Sequence, residues 1–549
     1  MKYSNYKIIG ILLTASILGT ACDSYLEEEN KSKVTIELAL SDPKTFDQLV
    51  ASIYERARET STRYEANVNL YYQLEDIGTD IVTRGTTVSG VSDVNDYVDF
   101  NSFNSAVFYY WRNQYSIIAA ANLAIDNADL IQGVVPAVKT AGVGEAKFFR
   151  AMSYFHLVEN FGGVPLVLNQ VKTSSTDYVR ATEEAVYTQI LKDLDEALAE
   201  TNETATAYGR VTKDAVRHLT SKVLLTRGYK TFGLPADFTN AATLAETIIS
   251  KHALVPTFAS LTSITNQRNS EVFFSYLFGS TSVSRGWGNS RHQLYKFPYY
   301  DYPGMIRGNL YQKGLDPLPT LFFYNLFDDN DQRADASFRR EIIADKDFQS
   351  TLGGVPVTVP AGSRAIYFPK VAWTPAQIAA VPYKVINPDQ YFEVDGVTNA
   401  HTPMFKKFDE PGVAFKQPNE LSEGTRDMVM MRSGEAYLIA AEAYLKASNP
   451  TAAATKLTAI RSRAGLTTPV TAGQVTLDFI LDERARELIG EVNRWMDLKR
   501  TGKLIERTLL HNPHAKMNNA LKEKHLLRPI PQYEIDNTNK SIKQNPLYD

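Results

Sequence analysis

Cysteine is nearly absent. Cys22 stands alone in 549 residues, so no disulfide can form within the chain. Stability must then come from packing, hydrogen bonds and ion pairs. Long apolar runs are missing near the N-terminus too. Ile8–Leu18 is an apolar stretch of 11 residues, well short of the roughly 20 that a membrane-spanning helix needs. Charge of either sign is not in excess: the net value is −4 with no basic tract, which argues against a nucleic-acid partner. The HExxH, GxSxG, P-loop and GxGxxG patterns are absent, and the eight histidines show no metal-ligand spacing. No cofactor, metal or catalytic residue is therefore expected.

What is present begins at the N-terminus. Lys2 and Lys7 supply a positive start, Ile8–Leu18 an apolar centre, and Leu18-Gly19-Thr20-Ala21 a small-residue approach to Cys22. This is the layout of a secretory signal peptide. A small residue just before a lone cysteine is the pattern of a bacterial lipoprotein, in which the Cys22 thiol takes a lipid and becomes the mature N-terminus. An ordinary signal peptide with an incidental cysteine is the plainer alternative. The acidic run Glu27-Glu28-Glu29 that follows suits a solvated tether.

Hydrophobic residues make up 44% and charged residues 22%, ordinary for a globular chain with a sizeable core. Aromatics stand out, with 30 Tyr, 26 Phe and 4 Trp; tyrosine suits both cores and recognition surfaces. Three segments resemble one another: Gly144–Phe161, Asp214–Phe232 and Gly434–Ala447. In the first, Phe148, Ala151, Met152, Phe155 and Val158 share one helical stripe. Each is followed by a second amphipathic segment, at Glu183–Glu200, Phe238–Ser250 and Thr451–Ala464. Gly162-Gly163-Val164-Pro165, Gly233-Leu234-Pro235 and Ser448-Asn449-Pro450 break the chain between partners. The spacing predicts helical hairpins of tetratricopeptide type, each burying its apolar face against the next. Further helices are expected at Pro43–Thr60, Asn104–Asp129 and, as one long element, Glu483–Lys503. Helical periodicity weakens between about Leu254 and Thr425 and again over Thr83–Phe103. These regions are expected to be long loops and short strands, with a strand or hairpin around Gly353-Gly354.

The ordered set of motifs is similar to the SusD/RagB family of Bacteroidetes surface lipoproteins. Cys22-Asp23-Ser24-Tyr25-Leu26-Glu27 resembles the family's start. Glu145-Ala146-Lys147-Phe148-Phe149-Arg150-Ala151, continuing through Tyr154-Phe155 to Phe161-Gly162-Gly163-Val164-Pro165-Leu166, resembles its most specific stretch. Asp331-Gln332-Arg333 resembles its Asp-Pro-Arg turn with Gln in place of Pro, and Arg432 to Ala443 resembles its Arg-x-x-Glu-x-Tyr-Leu helix. Glu483 to Leu488 with Arg494-Trp495-Met496-Asp497-Leu498, then Leu527-Arg528-Pro529-Ile530-Pro531-Gln532 and Gln544-Asn545-Pro546-Leu547-Tyr548, resemble its closing segments. Gly490-Glu491 departs from the usual order there. The resemblance implies a mainly α, tetratricopeptide-like fold with long loops and short strands. It also implies a surface-exposed lipoprotein of the outer membrane that partners a SusC-like TonB-dependent transporter. The implied cargo is an oligosaccharide, or a peptide in a minority of members.

On these readings the chain divides into a signal peptide over 1–21, a lipid-anchored tether over 22–38 and one domain over 39–549. Its helical scaffold spans about 39–253 and 426–549, with a ligand-binding insertion at about 254–425. Sugars present apolar C–H faces flanked by hydroxyl groups, so a site wants flat aromatics beside planar polar groups. Two irregular stretches supply both: Tyr97 with Asn101, and Trp287 with Arg291, Tyr299, Tyr300 and Tyr302. Trp495 is expected in the core. Asp328-Asp329-Asn330-Asp331 lacks the spacing of a calcium loop and suits a solvated turn. Glu483 and Glu487, near Arg484, Arg486 and Arg494, are expected in ion pairs. Their alternative role, the acid and base of a glycoside hydrolase, would need two carboxyl groups about 5–10 Å apart across a cleft.

Overall fold

The computed structural model describes residues 36–549 except 63, 66–67, 70–73, 86–90, 174, 282–285, 287, 309–310, 312–316, 393–399, 411–423, 492–493 and 549. Cys22 and Trp287 lie outside the described residues. A short helix, Ile36–Ser41, starts within the stretch expected to be tether.

Six helices form the first part of the scaffold: α1 (Lys44–Thr62), α2 (Ser105–Asn127), α3 (Pro136–Phe161), α4 (Glu183–Glu200), α5 (Lys213–Arg227) and α6 (Asp237–Lys251). After the insertion come α7 (Ser433–Lys446), α8 (Pro450–Arg463), α9 (Leu477–Leu488) and α10 (Arg494–Arg500). The expected hairpins form: α3 packs on α4, α5 on α6 and α7 on α8, while α6 also packs on α7. The second pair thus meets the third across the whole insertion.

Local chemistry sets these ends. The side chain of Thr182 accepts from the Ala185 amide to start α4, and that of Asn449 accepts from the Ala452 amide to start α8. Gly162, at φ +73°, stops α3. Small residues let the pairs close up: a Cβ on Gly144 would stand 2.8 Å from Cβ of Glu200 on α4. Phe148, Ala151, Met152, Phe155 and Val158 are all buried, as the stripe requires. Trp495 is fully buried beneath the Arg528 guanidinium, 4.0 Å from its ring centre.

Three expectations need correction. The long helix over Glu483–Lys503 is two helices, because α9 stops at Leu488 and Gly490 takes φ +73° before α10. Thr83–Phe103 is not wholly irregular, since Val91–Asp96 is a helical turn. Asp331 is not solvated: it caps the helix Gln332–Ser337 and pairs with Arg333 at 2.7 Å, with both side chains buried.

Between residues 254 and 425 no described helix exceeds six residues. Strand β1 (Val272–Tyr276) pairs antiparallel with the strand before α7, Met428–Arg432, joining the two ends of this region. β2 (Phe348–Leu352) and β3 (Val355–Val359) form the expected hairpin, whose two turn residues, Gly353 and Gly354, both have positive φ. The region has its own aromatic core, including Tyr295, Phe297, Tyr299, Phe323, Tyr324, Phe338 and Phe405.

Buried ion pairs lock this region to the scaffold. Arg333 reaches Glu483 at 2.7 Å and Glu487 at 3.2 Å. Arg432 joins Glu487 at 2.7 Å and Glu271 at 2.6 Å, and Arg463 adds bonds to both carboxylates. Burial pushes the Glu483 carboxyl up, but Arg333 and Arg486 overrule it and hold it at about 2. Arginines surround Glu483 and Glu487, and both carboxylates are fully buried.

Candidate functional site

The residues singled out from the sequence separate into two groups. Tyr97 is buried at φ +61°, its hydroxyl donating to the Gly78 carbonyl at 2.7 Å and its ring 5.1 Å from that of His525. Tyr299 is buried in the aromatic core, where its hydroxyl donates to the Tyr311 carbonyl and accepts from the Gly308 amide at 3.0 Å. Arg291 is 3% exposed, with its guanidinium 5.5 Å from the centre of the Phe408 ring. Burial of the Tyr97 and Tyr299 rings runs against the expectation of ligand contact, and Arg291 reaches only a small pocket beside Phe408 and Asp427. Asn101 is exposed but folds on its own turn, with Nδ2 donating to the Asp99 carbonyl at 2.8 Å and Oδ1 accepting from the Phe103 amide at 2.9 Å.

Tyr300 and Tyr302 remain, both half-buried. They rise from a short 3-10 turn, Tyr299–Asp301, over the aromatic core. Tyr299 supports Tyr300 edge-on at 5.6 Å, and the Arg307 guanidinium sits 5.1 Å from the Tyr300 ring centre. The Tyr302 hydroxyl shares a hydrogen bond with Nδ1 of His401 at 2.7 Å, and both rings rest on Phe297. The result is a shelf of two tyrosine rings beside a guanidinium and an imidazole.

A cleft of about 460 Å³ with several polar side chains lies on the scaffold. Tyr54, Arg58, Tyr208, Arg210, Gln48 and Ser275 line it. Gly286 lies beside it: a Cβ there would stand 3.1 Å from the Arg58 guanidinium. Arg58 is held by the Leu277 carbonyl at 3.2 Å and Arg210 by Glu145 at 2.9 Å. Burial, reinforced by the charge of Glu145, pushes the Tyr54 hydroxyl well up, so it stays protonated and donates to Glu145 at 2.6 Å. The sequence reading missed this cleft. Gln48, Tyr54 and Arg58 look like the ordinary polar face of α1, and their partners come from distant segments. Among the described residues, no group of three or more His, Cys, Asp or Glu is placed to hold a metal ion.

The chain as a whole is similar to known proteins. Residues 278–548 match a sequence profile described as "SusD family", and residues 24–234 match one described as "Starch-binding associating with outer membrane". SusD-like protein P2 of Formosa agariphila is 27% identical over 567 residues, covering 99% of each chain. A solved laminarin-binding SusD-like protein superposes with a TM-score of 0.69 at 22% identity, covering 92% of this chain and 100% of the other. Surface glycan-binding protein A from Bacteroides thetaiotaomicron, solved with laminarihexaose, gives a TM-score of 0.69 at 19% identity, covering 91% of this chain and 99% of that one.

Proposed function

The chain belongs to the SusD/RagB family, and from that premise we propose that it captures oligosaccharides at the cell surface and passes them to a TonB-dependent outer-membrane transporter. Anchored at Cys22, it holds an oligomer over the transporter mouth and raises its local concentration there. No bond is cut. The reading is supported by the family's starch-binding description and by neighbours named for laminarin and glycan binding. The observation that carries it on this chain is the half-buried Tyr300 and Tyr302 shelf beside Arg307 and His401. Flat rings take the C–H faces of a sugar, and the planar polar groups take its hydroxyls.

Titration calorimetry of the mature protein against plant, host and microbial glycans, laminarin among them, tests this. One glycan class should bind with a dissociation constant of roughly micromolar to millimolar, weak enough for release. Tyr300→Ala with Tyr302→Ala should abolish that binding while the unfolding transition stays cooperative. Binding that survives the double substitution moves the site to the Arg58 cleft and Trp287. Binding of peptides and of no glycan replaces oligosaccharide capture with peptide capture, the family's other cargo. New reducing ends from any polysaccharide would overturn the non-catalytic reading.

A further inference from the structure

A second cleft, of about 440 Å³, opens on the opposite chemistry. It lies between α2, the segment following α3 and the C-terminal helix Gln532–Asn537. Trp111 and Ile118, 2% and 1% exposed, form its floor. Tyr115 and Tyr178 form half-buried walls. The Tyr115 ring leans on Trp111 at 5.2 Å, and its hydroxyl donates to the Pro165 carbonyl at 2.8 Å, so the wall is fixed before any ligand arrives. Glu534 supplies the one acid of this mainly apolar lining, which also carries Arg112 and the amides of Asn122, Asn169 and Gln170.

That carboxyl has an unusual setting. Burial raises its pKa, and the Trp111 indole N–H offsets this only in part. Two cations stand near it, and one of them, Arg112, is exposed in the lining of the cleft itself. Arg180 donates to the carbonyls of Phe161 and Gly163 at 2.8 and 2.6 Å and to Asn545, and the Arg112 guanidinium lies 4.6 Å from the Tyr109 ring centre. Among the described residues, no lysine or arginine forms an ion pair with Glu534. A carboxylate in apolar surroundings without a counter-charge is costly, and a ligand that brings the charge recovers that cost. Aromatic walls attract the same charge through their faces. A neutral oligosaccharide can pack C–H faces on such rings but lacks the charge for this acid.

We propose that the cleft is a second binding site, for a small organic cation: a primary ammonium on an aromatic or aliphatic body, with the body on Trp111 and Ile118 and the ammonium on Glu534. Size and lining match small-molecule sites generally, which are concave, mostly apolar and carry few polar groups. The site is independent of glycan capture.

The test uses the full mature chain at pH 7.5 with two probes of the same shape, phenethylamine and its neutral analogue 2-phenylethanol. Ligand-observed NMR and calorimetry should show the amine binding at least about tenfold more tightly than the alcohol. Glu534→Gln should bring the amine down to the level of the alcohol without changing thermal unfolding. Ala119→Trp, placed on the exposed rim of the cleft, should block both probes and so locate the site. No amine binding up to about 10 mM, equal binding of the alcohol, a preference that survives Glu534→Gln, or binding that survives Ala119→Trp each overturns the proposal.

Discussion

Asp80 and Arg494, 414 residues apart, meet as a two-pronged ion pair: Nε lies 2.9 Å from Oδ1 and Nη2 lies 2.7 Å from Oδ2. Arg507 adds a third bond to Oδ2 at 2.8 Å. Burial pushes the Asp80 carboxyl up, yet the two arginines overrule it and hold it at about 2. One carboxylate thus ties the segment after α1 to α10 and to the helix that follows it.

Asp80→Asn should be strongly destabilising. It leaves the buried Arg494 guanidinium without its counter-charge, while Arg507 keeps Asp478 and Asp482; removing one partner of a buried pair costs about 3–5 kcal/mol. Denaturant unfolding measures it. A loss below about 1 kcal/mol, the range of exposed pairs, would mean that water reaches the arginines.

Asp76 behaves in the opposite sense. Burial raises its carboxyl from 3.8 to about 7, with the Arg494 amide N–H pulling against the shift and the charge of Glu75 adding to it. The folded chain therefore holds this proton more tightly than the unfolded chain. Its contribution is complete below about pH 4 and is lost as pH rises through about 7. Asp80 and Glu483 contribute above their ordinary carboxylate values and lose that contribution as pH falls through about 2. His292, His514 and His525, which burial holds at about 4, act in the opposite sense to Asp76 and lose stability as pH falls below their ordinary value. Asp76→Asn should therefore make the change in stability between pH 5 and 8 more positive, because it removes the Asp76 loss and leaves the histidine gain. Denaturation midpoints at those two pH values decide it; an unchanged slope removes Asp76 as the cause.

Scaffold and shelf should separate cleanly. Phe148→Ala or Phe155→Ala empties a fully packed position and should cost about 3–5 kcal/mol. Tyr300→Ala, at a half-buried ring, should cost clearly less in the same thermal scan. Equal losses would assign Tyr300 to the core.

Cys22→Ser should leave the protein unprocessed or released from the membrane, because the lipid on that thiol is the proposed anchor. Fractionation of cells carrying the variant checks this. Full recovery with the outer membrane would mean that something other than lipid holds the protein.

The scaffold was legible because its signals are local. Glycine breakers, caps such as Thr182 and Asn449, and the Phe148–Phe155 stripe each act within a few residues. The single long helix over 483–503 misread Gly490, since one glycine is tolerated inside a helix and the sequence does not show that its φ is positive. The shelf was only half legible, for a deeper reason. A stretch with few long helices must assemble its interior from loop side chains, and aromatic rings bury the most area per residue. Aromatic density over 287–307 therefore marked a core at Tyr295, Phe297 and Tyr299 as much as a surface at Tyr300 and Tyr302. Nothing in the alternation distinguishes Tyr299 from Tyr300; the 3-10 turn does.

The C-terminal segment closes over the first hairpin. The Arg528 amide donates to the Asn160 carbonyl at 2.6 Å, and Asn545 donates to the carbonyls of Phe161 and Arg528 at 3.0 and 2.7 Å. Contacts between chain ends so distant make folding slow, since the loop must close before the contact is gained. The end of α3 stays unsealed until the last residues have been made. The apolar stripe itself is covered earlier, by α2 and α4. Order of synthesis therefore separates two events: the hairpin can close first, and the bonds to the Asn160 and Phe161 carbonyls come last.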